Sequence, residues 1–409
     1  MGRINRPEYL NTLISSKDKQ IVKVISGIRR CGKSTIMDIY RDWLLENGTD
    51  VQRIIYINFE EIEFEHLNNY RILYDYITPL LHVDGMNYIF LDEIQHVSQF
   101  EKTVDSLFIK KNVDLYITGS NAYFMSGELA TLLTGRYIEI KMLPLSFSEY
   151  CEGLSIYTPD KQLTKMEKYA LYLNGSSFPY TLQLNGQQKE IRNYLEGLYN
   201  SIILKDIVAR LKVSDVMMLE SVVRFVFHNI GNLLSTSKIS NTMTSEGRKI
   251  DQKTVEKYLK GLTDSLMVYQ AGRYNIRGKQ YLATLEKYYL ADIGLRCFLL
   301  GSGNSDQGHI LENVVYLELL RRGNEVYVGH LVDGEVDFVA KSSNGFTYYQ
   351  VAATVLDQNT MQREISSLKK INDHYPKILL TLDEVGTGIM DNGIKHLNAL
   401  DWLQTPSGI

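Results

Sequence analysis

The chain has 409 residues, of which 44% are hydrophobic and 22% charged, and its formal net charge is −4. This length predicts roughly two to four domains with cores of ordinary size. The slightly acidic balance excludes nucleic-acid binding through overall charge, so such binding would need a local basic patch. The three scattered cysteines (Cys31, Cys151 and Cys297) favour a reducing compartment, and no uncharged apolar run approaches the roughly 18 residues of a membrane-spanning helix. We therefore expect a cytoplasmic protein with no membrane partner.

Five short apolar runs alternate with helical patterns over the first 150 residues. They are rich in Ile, Val and Tyr, a composition typical of buried parallel strands. Their ranges are 21–26, 54–59, 88–91, 114–119 and 137–142. The alternation predicts an α/β fold in which helices cover a parallel sheet.

The stretch GIRRCGKST, residues 27–35, follows the first of these runs and precedes a helical pattern. Two glycines at this spacing let backbone N–H groups converge on phosphate oxygens, at a helix N-terminus that favours anions. Lys33 is placed to reach the β- and γ-phosphates, and the Ser34 hydroxyl to ligate Mg²⁺. The context indicates the phosphate loop of a P-loop NTPase rather than an ordinary Gly-rich turn. The predicted nucleotide-binding residues of this loop are Gly27, Ile28, Arg29, Arg30, Cys31, Gly32, Lys33, Ser34 and Thr35.

The segment YIFLDE, residues 88–93, places two acids directly after a buried strand. Asp92 is expected to hold Mg²⁺ through water, and Glu93 to orient and deprotonate the attacking water. A helix N-terminus that merely favours acids is the alternative, but it does not explain the partnership with the phosphate loop. The Asp-Glu pair favours hydrolysis over phosphoryl transfer to a small molecule.

A further strand, 114–119, ends at Ser120 and Asn121. AAA-type ATPases carry a polar sensor of the γ-phosphate and the water at this place, and a plain turn is the alternative. A guanine-reading N/TKxD element does not follow the acidic strand, which favours ATP as the nucleotide.

Several motifs occur in one order: GIRRCGKST, FLDEIQ, ITGSNA, LLTGRYIEIKMLPLSFSEY and YLNGSSFPYTL. From about residue 6 to about residue 380, the chain resembles a large prokaryotic family of AAA-type ATPases related to STAND-class signalling ATPases. Members of that family carry a C-terminal domain of restriction-endonuclease-like fold. The resemblance implies that Arg136 is an arginine finger or phosphate sensor, and a finger acting in trans requires a homo-oligomer. A surface ion pair is the alternative for Arg136. Arg29 and Arg30 have no role that phosphate binding explains.

The middle of the chain is predicted to be helical, with a winged helix after residue 212. A basic helix face holds Lys253, Lys257 and Lys260, and a two-stranded ribbon flanks a loop with Arg273 and Arg277. This cluster is the candidate for DNA phosphate contact. Packing of the winged helix on the ATPase or on a protein partner is the alternative.

The last part resembles a PD-(D/E)XK nuclease, in which carboxylates hold a metal and a lysine assists the water. Glu312 fits the helix acid, Asp337 the strand acid and Gln350 a weaker third metal ligand, but Ala352 occupies the lysine position. Lys341 lies too far along the strand of Asp337 to replace that lysine. Glu335 is expected to be a solvated acid without a role. These features favour a nuclease-like domain kept for DNA or protein binding rather than cleavage.

The sequence therefore predicts an ATPase that uses Mg²⁺ and acts as a nucleotide-controlled switch on its other domains. The alternatives are an ATP-dependent DNA-binding regulator with negligible turnover and an ATP-gated nuclease. The predicted domains are an ATPase core at 1–150, a helical lid at 151–212, a winged helix at 213–290 and a nuclease-like domain at 291–409.

Overall fold

The structure is a computed structural model that describes residues 2–120, 133–301, 303, 306–390 and 392–405. The chain divides into two compact units. The first consists mainly of Arg3–Pro144, and the second of Leu145–Thr263 together with the residues from Met267 onward. Among the described residues, no helix combines the length and apolar character that crossing a membrane requires.

The first unit is built on a five-stranded sheet in which every paired strand runs parallel to its neighbour. The strands lie in the order β2-β3-β4-β1-β5. Each of the five apolar runs forms one strand, so the predicted parallel sheet is confirmed. The bounds are β1 Val22–Ser26, β2 Ile54–Asn58, β3 Asn87–Asp92, β4 Val113–Gly119 and β5 Tyr137–Lys141.

In this strand order β4 lies between β3, which carries Asp92, and β1, which leads into the phosphate loop. A buried ion pair between Lys23 of β1 and Asp114 of β4 joins these two neighbours. The hydroxyl of Tyr116 also donates to Asp114, at 2.7 Å. Because an unpaired buried charge is costly, this pairing favours β4 as the partner of β1.

Among the described residues of the first unit, four α-helices accompany this sheet. α3 and α4 each carry an apolar stripe, and Leu73, Ile77, Val104 and Leu107 from these stripes are buried in the same core cluster as strand residues such as Leu91. The bounds are α1 Pro7–Ser15, α2 Lys33–Glu46, α3 Tyr70–Ile77 and α4 Phe100–Phe108.

The second unit begins with a run of helices, and side-chain caps fix the starts of the first two. Ser146 and Glu149 form a reciprocal capping box on α5, and Thr164 and Glu167 form another on α6. The bounds are α5 Phe147–Tyr157, α6 Lys165–Gly175, α7 Pro179–Gln183, α8 Gln188–Ser201, α9 Val216–His228, α10 Thr236–Ser245, α11 Gln252–Asp264, α12 Ile293–Leu300, α13 Gln307–Arg321, α14 Gln358–Lys369 and α15 Ala399–Gln404. A π-helical segment, Ile202–Val208, and a last turn, Ala209–Leu211, continue α8.

A mixed sheet of nine strands organises the second unit, in the order β13-β14-β12-β11-β10-β9-β7-β8-β6. The ribbon predicted as the wing is the β7–β8 hairpin, but it is not a free ribbon. Its strand β7 pairs in parallel with β9, which satisfies backbone groups that a free edge would expose. The bounds are β6 Leu233–Leu234, β7 Val268–Asn275, β8 Gln280–Leu290, β9 Glu325–Leu331, β10 Gly334–Ser342, β11 Gly345–Val351, β12 Lys377–Thr381, β13 Gly388–Ile389 and β14 Lys395–Asn398.

The motif YLNGSSFPYTL has a structural role in the second unit. The backbone N–H and the hydroxyl of Ser177 both donate to Asp292, at 2.7 and 2.6 Å. The other carboxylate oxygen of Asp292 accepts from Leu295 N–H and so caps α12. Gly294 packs so closely that a Cβ there would lie 2.4 Å from the Ser176 Cβ. The motif therefore anchors the start of α12.

Candidate functional site

The phosphate loop joins β1 to α2 and depends on both of its glycines. Gly32 caps α2 with a φ of 106°, in the left-handed region that favours glycine. A Cβ on Gly27 would lie 2.4 Å from the Met142 carbonyl oxygen and 2.8 Å from Cys31 Sγ. The loop therefore has a fixed shape that ends at a helix N-terminus, as anion binding requires.

Arg6 holds the phosphate loop in place through hydrogen bonds to backbone carbonyl oxygens. This residue was not identified from the sequence. Its side chain is only 5% exposed, and its guanidinium donates to the carbonyl oxygens of Cys31 and Leu143, at 3.0 and 2.9 Å. These bonds tie the loop to the segment that follows β5. Burial raises the pKa of the Cys31 thiol, so this cysteine stays protonated and packs as part of the loop.

Lys33 lies in the first turn of α2 and is folded back over the loop. Its ammonium donates to the Gly27 carbonyl oxygen at 3.1 Å and lies 3.3 Å from Glu93 Oε1. Both side chains of this ion pair are buried, at 3% and 9% exposure. The structure therefore brings together the phosphate-binding lysine and the predicted general base.

Asp92 ends β3 and is fully buried. Its carboxylate accepts hydrogen bonds from the hydroxyls of Thr118 and Tyr56, at 2.5 and 3.3 Å, and from the Ser34 side chain. Burial raises the pKa of Asp92, and the bonds from Ser34 and Thr118 act against that rise. Ser34 and Asp92 thus place two oxygen ligands within hydrogen-bonding reach of each other, a donor set that suits Mg²⁺.

Glu93 follows Asp92 in a left-handed conformation, with φ 54°. Its N–H donates to Thr118 Oγ1 at 2.8 Å, so one hydroxyl of β4 fixes both acids. Burial acts to raise the pKa of Glu93, but the Lys33 ammonium and the Gln95 amide outweigh it and hold that pKa below its ordinary value. Lys33 and Gln95 therefore favour the ionised form of Glu93.

Gln95 connects Glu93 to the end of β4. Its amide nitrogen donates to Glu93 Oε2 at 2.5 Å and to the buried Ser120 hydroxyl at 3.3 Å. The predicted sensor residue Ser120 is therefore linked to the acid pair, whereas Asn121 lies outside the described residues. Gln95 belongs to the FLDEIQ motif and Thr118 to the ITGSNA motif. Both motifs were identified from the sequence, but neither residue was assigned a role.

The remaining predicted residues are spread out, and Arg136 lies away from the phosphate loop. Its carbonyl oxygen accepts from Val22 N–H at the start of β1, whereas the loop follows the end of that strand. Arg30 and Thr35 are exposed, and Arg29 contributes positive charge near Glu93. Arg136 forms an ion pair with Asp105 at 2.7 Å, and its side chain is 47% exposed. This is the contact that the alternative for Arg136 anticipated.

The second unit contains a carboxylate cluster that is centred on a lysine. The Lys287 ammonium of β8 lies 2.6 Å from Glu335, 3.0 Å from Glu312 and 3.8 Å from Asp337. Burial acts to lower the pKa of Lys287, but the carboxylates, Glu312 foremost, raise it well above its ordinary value. Burial and the charge of Glu312 raise the pKa of Asp337. From the sequence, Ala352 was expected to leave this place without a positive charge. That expectation is wrong, because Lys287 supplies one.

Hydrogen bonds to β8 fix the position of Glu312 on α13. The Tyr289 hydroxyl donates to Glu312 Oε1 at 2.6 Å, and Asn313 exchanges two bonds with the backbone of Leu290, at 2.7 and 2.9 Å. Glu335 was expected to be solvated without a role, but its side chain is 29% exposed and bonded to Lys287. That expectation is wrong because Lys287 on β8 and Glu335 on β10, which are far apart in sequence, belong to the same sheet.

The third residue of the predicted metal set has another partner. The Gln350 amide donates to Glu364 of α14 at 2.9 Å. Lys341 pairs with Glu325 on an exposed part of the sheet. In the part of the chain that the structure describes, no three His, Cys, Asp or Glu side chains are grouped so that they could hold a metal ion.

The predicted basic face lies on α11. Lys253, Lys257 and Lys260 are exposed, while Val255 and Leu259 of the same helix are buried. Arg277 is also exposed, but Arg273 is half-buried, and its guanidinium lies 2.8 Å from the His330 ring nitrogen.

Comparisons with known proteins agree with the architecture of the first unit. Residues 19–151 match the AAA domain family, and residues 166–306 match a domain of unknown function, DUF8612. The chain is similar in fold to a Walker-type ATPase of Pyrococcus abyssi, with a TM-score of 0.50 and 17% identity, over 73% of this chain and 96% of that one.

Two relatives match over nearly their whole length. An uncharacterized protein of Haemophilus influenzae is 40% identical over 401 residues, which is 98% of both chains. An uncharacterized protein of Methanocaldococcus jannaschii is 30% identical, over 93% of this chain and 85% of the relative. The chain belongs to the family of these two proteins, and its first unit is an AAA-type P-loop ATPase domain.

Proposed function

We propose that the protein binds ATP with Mg²⁺ in its first unit and hydrolyses it. The observation that carries this proposal is the grouping of Lys33, Ser34, Asp92 and Glu93 at the ends of β1 and β3. A phosphate loop alone supports nucleotide binding, whereas a second, ionised acid beside the Mg²⁺ ligands supports attack by water.

Each residue has a distinct part in this reaction. The loop N–H groups and the Lys33 ammonium bind the phosphates, and Ser34 and Asp92 hold Mg²⁺, Asp92 through water. When bound, Mg²⁺ supplies positive charge that offsets charge developing on the phosphate oxygens. Glu93 orients the attacking water and accepts its proton, since its carboxylate stays ionised in the site. Because Arg136 lies at the start of β1, opposite the phosphate loop, it acts as an arginine finger only on the nucleotide of another copy and only if it leaves Asp105.

The test compares ATP hydrolysis by wild type, Lys33→Ala and Glu93→Gln. Both substitutions should lower turnover, Glu93→Gln by about 10²–10⁴-fold because it removes the base. Lys141→Ala, at an exposed lysine of the same unit, serves as the control and should hydrolyse ATP at the wild-type rate. Wild-type rates in both site variants would overturn the proposal.

We further propose that bound nucleotide acts as a switch on the second unit rather than driving a processive motor. The exposed lysines of α11 support DNA as its ligand. In that case a Lys253/Lys257/Lys260→Glu variant should lose DNA affinity and the steep dependence of affinity on salt. The same charge change at the exposed residues Lys161, Lys189 and Lys369 is the control. If both variants bind alike, a protein partner or a second copy of the chain is the better ligand.

For the C-terminal part, a binding role is a better proposal than cleavage. Lys287 supplies a positive charge at the carboxylates Glu312, Glu335 and Asp337, where a nuclease would hold its metal. A nuclease gated by ATP remains the second candidate, because the cluster contains a lysine beside two predicted metal ligands. Plasmid cleavage with Mg²⁺ or Mn²⁺ that is lost in Glu312→Gln and Asp337→Asn would favour that candidate.

A further inference from the structure

Both carboxylate oxygens of the proposed base are engaged by donors from different parts of the first unit. Glu93 Oε1 lies 3.3 Å from the ammonium of Lys33, on α2. Glu93 Oε2 accepts from the amide of Gln95, two residues further along the chain. With these contacts in place, both oxygens already have a donor, and the Lys33 ammonium stabilises the charged carboxylate and so makes it a weaker base toward water. The arrangement is therefore a resting one.

The two donors differ in what else they can bind. Lys33 has three protons, and among the described residues its hydrogen-bond acceptors besides Glu93 are the carbonyl oxygens of Gly27 and Ile28, at 3.1 and 3.5 Å. Phosphate oxygens carry more negative charge than a carbonyl group and compete strongly for an ammonium. Gln95 carries no charge, and its second contact is the Ser120 hydroxyl at the end of β4. A nucleotide therefore competes with Glu93 for Lys33 and leaves the hydrogen bond from Gln95 to Glu93 intact.

The acceptor atom of the Gln95 amide adds an independent observation. Gln95 Oε1 is buried, and no described residue donates a hydrogen bond to it. A buried acceptor without a donor is unfavourable unless a further group binds there. A water molecule beside Glu93 would supply that donor, because one of its protons can face the carboxylate and the other the amide oxygen.

We propose that Gln95 is a positioning residue of a nucleotide-gated base: phosphate draws Lys33 away from Glu93, and Gln95, itself bonded to Ser120, then holds Glu93 in the orientation that receives the attacking water. This inference rests on the proposed ATP hydrolysis and adds a residue and a resting state to it. The charged groups around Glu93 are Lys33 and Asp92 beside it and Arg29 of the loop. Among these, Lys33 is the group that the phosphates contact directly.

The first test measures turnover. Gln95→Met keeps the size of the side chain and removes both amide groups. It should lower kcat by about 10- to 100-fold, the cost of a misplaced catalytic group, with little change in KM. Gln52→Met, at an exposed glutamine of the same unit, is the matched control and should keep wild-type kcat. If a thermal melt shows that Gln95→Met is not folded, Gln95→Glu takes its place. That substitution keeps the length of the side chain and removes the amide donor.

The second test needs no turnover and measures the affinity for a fluorescent ATP analogue. Glu93→Gln removes the charge that holds Lys33, so it should bind the analogue about fivefold or more tightly than wild type. Gln95→Met should keep that affinity within about twofold, because it leaves Lys33 free to move.

The outcomes separate the inference from the function on which it rests. Loss of kcat in Glu93→Gln with wild-type kcat in Gln95→Met would overturn the role of Gln95 and leave ATP hydrolysis standing. Equal affinity in wild type and Glu93→Gln would overturn the gate. Absence of both ATP binding and hydrolysis in wild type would overturn the proposed function itself.

Discussion

Each unit buries a lysine against a glutamate, and the two pairs are held in opposite ways. Lys33 has one carboxylate partner at 3.3 Å, and its other contacts are carbonyl oxygens of a loop. Lys287 has three carboxylates within 3.8 Å, from α13 and β10. A single partner can be exchanged for a phosphate, whereas three partners on rigid elements cannot be exchanged together. The first arrangement suits a nucleotide cycle and the second fixes a fold.

The largest effect is expected from Lys287→Met, which leaves three carboxylates without their cation. Removing one partner of a buried ion pair costs about 3–5 kcal/mol, so the second unit should unfold far more readily. Chemical denaturation of wild type and variant measures this cost. Lys341→Met, at the exposed lysine paired with Glu325, is the control and should unfold like wild type. Equal stability of both variants would mean that Lys287 does not hold the cluster.

Lys33→Met should show the opposite pattern. We expect ATP turnover to fall about 10²–10³-fold, because a donor to the transferring phosphoryl group is lost. The free energy of unfolding should fall by less than in Lys287→Met, since one carboxylate rather than three loses its cation and Glu93 keeps the hydrogen bond from Gln95. Steady-state ATPase assays and denaturation of the same preparation measure both quantities. A stability loss as large as that of Lys287→Met would erase the distinction between the two lysines.

The pH dependence of stability tests the protonation of Asp337 in the cluster around Lys287. The pKa of Asp337 is raised in the folded state by burial and by Glu312. A raised carboxyl pKa contributes stability at low pH that is lost as the pH rises through the folded value. As the pH rises from about 4, the ordinary carboxyl pKa, the stability of Asp337→Asn relative to wild type should therefore improve. Thermal melts of both proteins across this range measure the trend, and a trend of opposite sign would contradict the raised pKa.

The smallest effect is expected from Glu335→Gln. Its side chain is 29% exposed, so its bond to Lys287 is partly screened by water. The loss of unfolding free energy should stay below about 1 kcal/mol. A loss similar to that of Lys287→Met would show that Glu335, rather than Glu312, is the main partner of the lysine.

The sequence predicted the parts of the fold that depend on local pattern. Five apolar runs predicted five parallel strands, and the GIRRCGKST motif predicted a loop whose Gly32 adopts a φ of 106°. Helical periodicity also placed Lys253, Lys257 and Lys260 on the exposed face of α11. These features follow from strand burial, backbone sterics and a repeat of 3.6 residues, all of which act over a few neighbouring residues.

Only the tertiary structure decided which strands are neighbours, and this determined the residues that the sequence did not reveal. Thr118 bonds both acids because β4 lies between β3 and β1. Lys287 meets Glu312 and Asp337 because β8 and β10 belong to one sheet that α13 packs against. Strand order is set by long-range packing and by the cost of burying unpaired charges, neither of which is visible in a local pattern. The sequence by itself therefore determined the nucleotide loop and its acids, and the fold supplied the partners that hold them.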